Sequence, residues 1–485
     1  MAPNSDTLTS LAAAVGGRLV GSGDIRIDDV THDSRTAGPG VLFVAIRGAR
    51  ADGHDFVPAV VAAGSPAVVV DHHLDIATRQ IVVPDTRAAL GPLAAAVHGH
   101  PSLDMKLIGV TGTNGKTTVT HMIEGICRGV GLVPGLIGTI HTRVGGEVVP
   151  TVRTTPEASD LQRLLRHMVD EGAQVVAAEV SSHALAFGRV SGSLFSVAAF
   201  TNLSQDHLDF HETMAEYRAA KELLFSPDLS RRAVVNVDDP VGREIAAACR
   251  IPVMTVGRDG DLSARATRVD ITGTEFILTA RGVEVGVGRV PMAGGFNLSN
   301  AVVALGCMDA ASVGLAGALA ALEGIPPIPG RFEVVSDAGP TVVVDYAHSP
   351  DGIDQVVDTV RSTTSRRIVI VMGAGGDRDR GKRPAMGLAA ARADRVIVTS
   401  DNPRSEHPGA IIDAVIERIP DGFDLQIEPD RRAAIRMALE TAGDDDVVLI
   451  LGRGHERFQE VAGDSIPFDD REVVHQEIAA LRDTS

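Results

Sequence analysis

Two residue patterns in this chain could handle phosphate and carboxylate groups. The first, Gly109-Val-Thr-Gly-Thr-Asn-Gly-Lys-Thr-Thr118, is rich in small residues and ends on a lysine and two hydroxyls. Small residues let backbone N–H groups close around phosphate oxygens, and a following helix adds its positive pole. In this reading Gly112, Thr113, Asn114 and Gly115 form the cradle and Thr118 closes it. Lys116 reaches the outer phosphates, and the Thr117 hydroxyl faces a divalent cation. The spacing departs from the usual Gly-x-x-x-x-Gly-Lys-Ser/Thr, because Val110 stands where the first glycine would be. The bland alternative is a glycine turn with a surface lysine, and the strand–turn–helix context argues against it.

The second pattern is Asp401-Asn-Pro-Arg404, which follows the apolar run RVIVTS. It sets a guanidinium at a strand end, where a planar fork can grip a carboxylate through two bonds. A type I turn with a surface arginine is the alternative. Between the two patterns lie Glu179 after the apolar run VVAA, His207 in Asp206-His-Leu-Asp209, and Lys221 in YRAAKELLF. From local sequence alone, a buried hydrogen-bond acceptor is the lesser alternative for Glu179. Lys221 reads as a helical lysine with its stem on an apolar face.

These residues need elements to hold them. Short β-type runs (RLVGSGDIRIDDV, VLFVAI, AVVVDH and IVVPD) and the helix ALGPLAAAVHGHP fill the first hundred residues, with a turn at Arg79–Gln80. Ser5 and Asp6 read as the cap of an amphipathic helix carrying Leu8, Leu11 and Ala12. From Leu107, strand-like LIGVTG, VVAAEVSS, SVAAFTNL and RAVVNVDD alternate with helical segments, which predicts a parallel sheet with helices on both faces. After the turn-rich GIPPIPGR the last third alternates again, each strand followed by a helix. His348, Asp377, Arg378, Asp401, Arg404 and His455 fall at its strand ends, where such sheets bind ligands. The expected class is α/β with three domains: a small mixed α/β unit at 1–104, a central phosphate-loop ATPase unit at 105–329, and a doubly wound Rossmann-like unit at 330–485.

The net charge of -18 excludes bulk nucleic-acid binding, so any polyanionic substrate must meet local cations. No run is long and apolar enough for a membrane span, and the start lacks a secretory pattern. Three cysteines far apart offer neither metal spacing nor a disulfide framework. A reduced, cytoplasmic setting and a monomer are expected.

Taken in order, the motifs resemble the Mur ligases, three-domain enzymes that build the peptide stem of bacterial cell-wall precursors. The likeness runs through Asp33-Ser-Arg35, the phosphate loop, Thr154-Thr-Pro156, Glu179-Val-Ser-Ser-His183 and Asn202-Leu-Ser-Gln-Asp-His-Leu-Asp209. It continues through Tyr217-Arg-Ala-Ala-Lys221, Phe296-Asn-Leu-Ser-Asn300, Gly330-Arg331 and Asp345-Tyr-Ala-His-Ser-Pro350. Gly375-Gly-Asp-Arg-Asp379, Asp401-Asn-Pro-Arg404 and Gly452-Arg-Gly-His-Glu456 complete it.

That resemblance implies ATP and Mg²⁺ as cofactors, and Lys116, Glu179, His207, Lys221 and His348 as catalytic candidates. Thr117, Glu179, His207 and Lys221 would serve the metal, with Lys221 carbamylated by CO₂. Asn297, Asn300, Arg331 and Asp345 would meet the nucleotide. Ser34, Ala49, Arg50, Ala51, Thr154, Thr155, Ser181 and Arg189 would hold UDP-MurNAc-L-Ala-D-Glu. Asp401, Asn402, Pro403 and Arg404, with Arg378, Gly452 and Glu456, match members that add meso-diaminopimelate as the third stem residue; lysine or another diamino acid is the alternative acceptor. A nucleotide-binding scaffold with a decayed site is the reading from another class, and the joint presence of these groups counts against it. Four residues depart from the family pattern: Arg453 for the usual lysine, Phe187, Gly295 and Gly352.

Overall fold

The computed structural model describes residues 7–48, 51–149, 153–336 and 339–484. Their strands form three sheets of 5, 11 and 6 strands and a separate two-stranded hairpin. The first sheet uses Arg18–Val20, Asp29–Thr31, Val41–Val44, Ala67–Val70 and Arg79–Val82, with only the first strand antiparallel to its neighbour. Arg79 and Gln80 lie within a strand rather than in a turn, because Gln80 pairs with Val20 and Val68. The first helix, Leu8–Ala14, is capped by Thr7, whose hydroxyl accepts from Ser10 N at 3.3 Å; Ser5 and Asp6 lie outside the described residues.

The heart of the second sheet is parallel. Lys106–Thr111 lies between Val175–Glu179 and Val197–Phe200, and Ala233–Asn236 and Val253–Val256 extend it on one side. Successive residues of a strand point to opposite faces. Ile108 and Val110 enter one core while Leu107 enters the other, so the strand reads as a continuous apolar run. The expectation of a wholly parallel sheet fails at both edges. Thr142–Val144 and Glu147–Val149 add antiparallel strands at one edge, and Leu262–Asp270, Gly273–Ala280 and Val283–Val290 form an antiparallel meander at the other. These strands are more exposed than the parallel centre: only Leu262 is buried in Leu262–Asp270 and only Val290 in Val283–Val290.

The third sheet orders its strands Glu333–Ser336, Thr341–Asp345, Val447–Leu451, Ile368–Met372, Arg395–Val398 and Leu425–Ile427, parallel after the first pair. Here too one strand feeds two cores, Ile368 and Ile370 on one face and Val369 and Val371 on the other. The strand–helix alternation breaks twice among the described residues: Thr341–Asp345 follows Glu333–Ser336 with no helix between, and after Val447–Leu451 comes the hairpin of Phe458–Val461 and Asp464–Pro467, and only then the helix Asp470–Thr484. That helix is tied down by a fully buried pair, Arg431 Nε and Nη2 donating to both Asp470 oxygens at 2.7 Å.

The first unit packs closely on the second. A methyl group on Gly91 would meet Ser191 O at 2.1 Å, so glycine is required where the helix Thr86–Val97 crosses that loop. The third unit reaches the second through Arg331, whose Nη2 donates to Thr117 Oγ1 at 3.2 Å, and through Asn114 Nδ2, which donates to Asp351 Oδ2 at 3.2 Å.

Candidate active site

The strand Lys106–Thr111 ends on the glycine loop, and the helix Lys116–Gly129 starts directly after it. Gly112 and Gly115 have φ of 148° and 86°, conformations open to glycine. Added methyl groups would meet Thr201 Oγ1 at 1.9 Å and Asn300 Oδ1 at 2.3 Å. Asn202 braces the loop from behind: its Oδ1 accepts from Asn114 N at 2.9 Å, and its Nδ2 donates to Asn114 O at 3.2 Å. The backbone is thus fixed before any ligand arrives.

Lys116 Nζ donates to Gly112 O at 2.9 Å and to Thr113 O at 2.8 Å. Lys221 Nζ donates to that same Gly112 oxygen at 2.8 Å and lies 4.2 Å from the Tyr217 ring centroid. Burial pushes both amines below the usual lysine range, Lys221 far below, and Lys116 adds to the effect on Lys221. Lys221 is therefore more than a helical lysine with a free head: its amine is buried, and a fraction of it is neutral at lower pH than an exposed amine would allow.

Glu179, fully buried, ends the strand Val175–Glu179. Its Oε1 accepts from Thr139 N at 2.7 Å, and its Oε2 accepts from Thr117 Oγ1 and Thr139 Oγ1, both at 3.0 Å. His207 sits at φ 56°, a strained backbone for a non-glycine residue, and burial lowers its pKa to about 3. It is therefore neutral near pH 7 and keeps a lone pair for a ligand.

Asp206 joins the two halves of the site. Its carboxylate lies 3.3 Å from Lys382 Nζ and 3.7 Å from His348 Nε2, both from the third unit. Burial would raise its pKa, but His348, Lys382 and His207 reverse this and hold it well below the usual carboxylate range. Asp206→Asn keeps the volume and removes the charge, so it is expected to lower kcat/KM about 30-fold, a latch energy of about 2 kcal/mol, and to lower Tm as well, because a carboxyl held below its usual range stabilises the fold at pH 7. Unchanged kcat/KM in steady-state assays would remove this contact from the reacting state.

One cleft of about 920 Å³ collects nearly all the central and C-terminal candidates. Lys116, Thr117, Glu179, His207 and Lys221 line it with Thr154, Thr155, Ser181 and Arg189. Asn297, Asn300, Arg331, Asp345 and His348 close one side, and Arg378, Asp401, Asn402, Arg404, Gly452 and Glu456 another. Gly112 presents its carbonyl to the two lysines from behind this lining, and Pro403 is covered against Gly376. Ser34, in a turn of the first unit, and exposed Ala51 stand outside the cleft; Ala49 and Arg50 lie outside the described residues.

Individual candidates carry local duties as well. Asn297 Nδ2 donates to Ala293 O at 2.8 Å. Asp345 accepts from Phe332 N at 2.6 Å and Ala347 N at 2.7 Å, which anchors the chain where it enters the third unit. Ser181 caps its own short helix, as its Oγ accepts from Ala184 N at 3.2 Å. Phe187, one of the departures, lies under two guanidinia, with Arg87 and Arg189 5.5 and 5.6 Å from its centroid. Gly295 has open space around it, and Gly352 faces Ser349 Oγ, the cap of its helix.

Sequence reasoning missed Thr139, Asn202, Asp206 and Lys382. Asn202 and Asp206 belong to a motif that was read only for His207. Thr139 and Lys382 sit in loops whose sequence carries no signal of what they face.

Residues 26–98 match the model described as "Mur ligase family, catalytic domain", 110–308 "Mur ligase middle domain", and 330–454 "Mur ligase, glutamate ligase domain". The chain belongs to the Mur ligase family, a family of ATP-dependent ligases. The UDP-N-acetylmuramoyl-L-alanyl-D-glutamate–2,6-diaminopimelate ligase of Geobacillus thermodenitrificans is 44% identical over 463 residues, covering 93% of this chain and 94% of that one. The protein of the same name from Streptomyces coelicolor is 42% identical over 473 residues, covering 94% and 93%. A solved structure bearing that enzyme name superposes with a TM-score of 0.70 at 30% identity, covering 99% of each chain. Among the described residues, no helix is long and apolar enough to cross a membrane.

Proposed function

We propose that this chain uses ATP to join meso-diaminopimelate to the D-glutamyl carboxylate of UDP-MurNAc-L-Ala-D-Glu in cytoplasmic cell-wall precursor synthesis. The observation that carries the reading is one cleft in which the phosphate loop, buried Glu179 and Lys221, and the Arg404 guanidinium share a lining. The substrate names of relatives more than 40% identical across nearly the whole chain support it.

In the proposed reaction a carboxylate oxygen attacks the γ-phosphorus of ATP, and ADP leaves. The amine nitrogen then attacks the acyl carbon, gives up a proton and expels phosphate. Both steps depend on positioning and on neutralising charge. Lys116 and Arg331 bring cations to the phosphates. Arg189 and the hydroxyls of Thr154, Thr155 and Ser181 suit the oxygens of the nucleotide-sugar substrate. Contacts between the units at Asp206 and Asn114 favour a closed site that keeps water from the acyl phosphate.

The donor set fits Mg²⁺: Glu179 is a buried carboxylate flanked by two hydroxyls, and oxygen donors suit this hard cation. Thr117, Glu179, His207 and carbamylated Lys221 would hold it, and it would supply charge neutralisation at the transferring phosphoryl group. Chelation should abolish turnover, and added Mg²⁺ should restore it. A carbamate on Lys221 needs a neutral amine, which burial beside Lys116 favours; the nitrogen adds to CO₂ and loses a proton. Intact-mass measurement under native, bicarbonate-containing conditions should show one added CO₂ that disappears in Lys221→Ala. An unmodified wild-type mass under those conditions would sink the carbamate.

The deciding assay is phosphate release from ATP with UDP-MurNAc-L-Ala-D-Glu and a panel of amino acids. Diaminopimelate is expected to give the highest kcat/KM. A preference for lysine would reject the acceptor assignment, and silence with every acceptor would favour a nucleotide-binding scaffold.

A further inference from the structure

Arg453 follows the strand Val447–Leu451 and turns back under the hairpin that comes after it. It is fully buried. Its Nη1 donates to Asn402 Oδ1 at 2.8 Å, and its Nη2 donates to the carbonyls of Phe458 at 2.9 Å and Phe468 at 3.0 Å. Those carbonyls flank the mouth of the hairpin formed by Phe458–Val461 and Asp464–Pro467. One planar fork thus closes a hairpin and grips a side chain of the Asp401-Asn-Pro-Arg404 loop.

The hairpin is laced to the same loop along its length. Glu460 N donates to Asn402 Oδ1 at 3.0 Å, and Arg404 N donates to Glu460 O at 3.0 Å. Ala462 N donates to Arg404 O at 2.8 Å, and Arg404 Nε donates to Glu460 Oε2 at 2.9 Å. Asn402 Nδ2 in turn donates to Glu456 Oε2 at 2.6 Å.

We propose that Arg453 is the positioning residue of the acceptor subsite. By clamping the hairpin and Asn402 together, it sets the separation of the Arg404 guanidinium and the Glu456 carboxylate, which would read the carboxylate and the ammonium on the far carbon of a diamino dicarboxylic acid. The inference rests on the acceptor reading above.

Charge gives it a second signature. Glu456 is faced by Asp401, Arg453, His348, Tyr346 and Arg431. Burial and Asp401 push the Glu456 carboxyl upward, while Arg453 and the Asn402 bond pull it down. Removing the Arg453 charge would raise it further, so the acid limb of kcat/KM for the acceptor should move to higher pH.

The test is steady-state kinetics on the full chain. Arg453→Gln should raise KM for diaminopimelate about 30-fold, the scale of one lost charge-assisted bond, and shift the acid limb upward. Its kcat and its KM for ATP and the nucleotide sugar should stay within about 3-fold. Arg453→Lys keeps the charge but cannot span all three oxygens; it should raise the acceptor KM about 5-fold and leave the acid limb in place. An unchanged acceptor KM, or an equal rise for all three substrates, would overturn the proposal, the latter marking a mere core plug. If Arg453→Gln does not fold, Arg453→Lys decides by the same split. The wild-type acceptor panel is run first. If another amino acid wins there, the acceptor reading fails, and the KM split with that amino acid still judges Arg453.

Discussion

Lys116→Ala is expected to lower kcat at least about 10³-fold, a loss of at least about 4 kcal/mol of transition-state stabilisation. The ammonium is buried in a glycine loop, held by two carbonyl oxygens, with Glu179 and Asp206 as its nearby anions. Carbonyls are weaker partners than a phosphate, so a nucleotide would draw the group outward, and its full value appears as charge builds on the transferring phosphoryl group. Stability should move the other way. Burial lowers the lysine's pKa, so at pH 7 the unfolded chain holds that proton more tightly than the folded one. The charged group therefore costs stability below its unfolded pKa, and alanine should leave Tm unchanged or slightly higher. Phosphate-release assays and thermal scans on one preparation check both parts. Turnover above a tenth of wild type would exclude the phosphate role, and a large drop in Tm would make lost turnover uninformative.

The parts of this site legible in sequence were those with a local cause. A phosphate loop needs strand, glycines, lysine and helix in one short stretch, and all appear together. Strand ends in a doubly wound sheet place ligand-facing residues, which is why His348, Asp401 and Arg404 could be proposed before any coordinates, while Glu456 rested on the family resemblance. What stayed hidden depends on non-local packing. Thr139 matters because its loop folds onto Glu179, and nothing in its neighbouring residues encodes that. Lys382 reads as one basic residue among several in GDRDRGKR until closure sets it on Asp206. The antiparallel edge strands depend on a pairing that no local pattern encodes, and the hairpin on a loop 58 residues upstream, Glu460 N donating to Asn402 Oδ1. Backbone strain was equally invisible: His207, Asp377 and Arg404 all have φ near +50°, conformations that tertiary contacts impose against local preference.

Arg404→Ala should erase the preference for diaminopimelate over lysine. The expected fall in kcat/KM for diaminopimelate is about 10³-fold, with lysine changed far less. Diaminopimelate carries a carboxylate that lysine lacks, and a site built around a guanidinium rejects the analogue that leaves it unpaired. Here the guanidinium is shared among modest partners: Nε with exposed Glu460 at 2.9 Å and Nη1 with Gly376 O at 2.5 Å. An exposed single-bonded ion pair is worth little, so Glu460 can yield to a substrate carboxylate at small cost. The backbone of Arg404, held at φ 52° by its bonds to Glu460 and Ala462, already aims the side chain, which spares the entropy of ordering it on binding. Arg404→Lys should recover only part of the preference, since an ammonium restores charge without the two-pronged grip. The measurement is the ratio of kcat/KM for the two amino acids in wild type and both variants. A ratio that stays constant across the three would mean that the extra carboxylate is read elsewhere, and the assignment of this loop would fall with it.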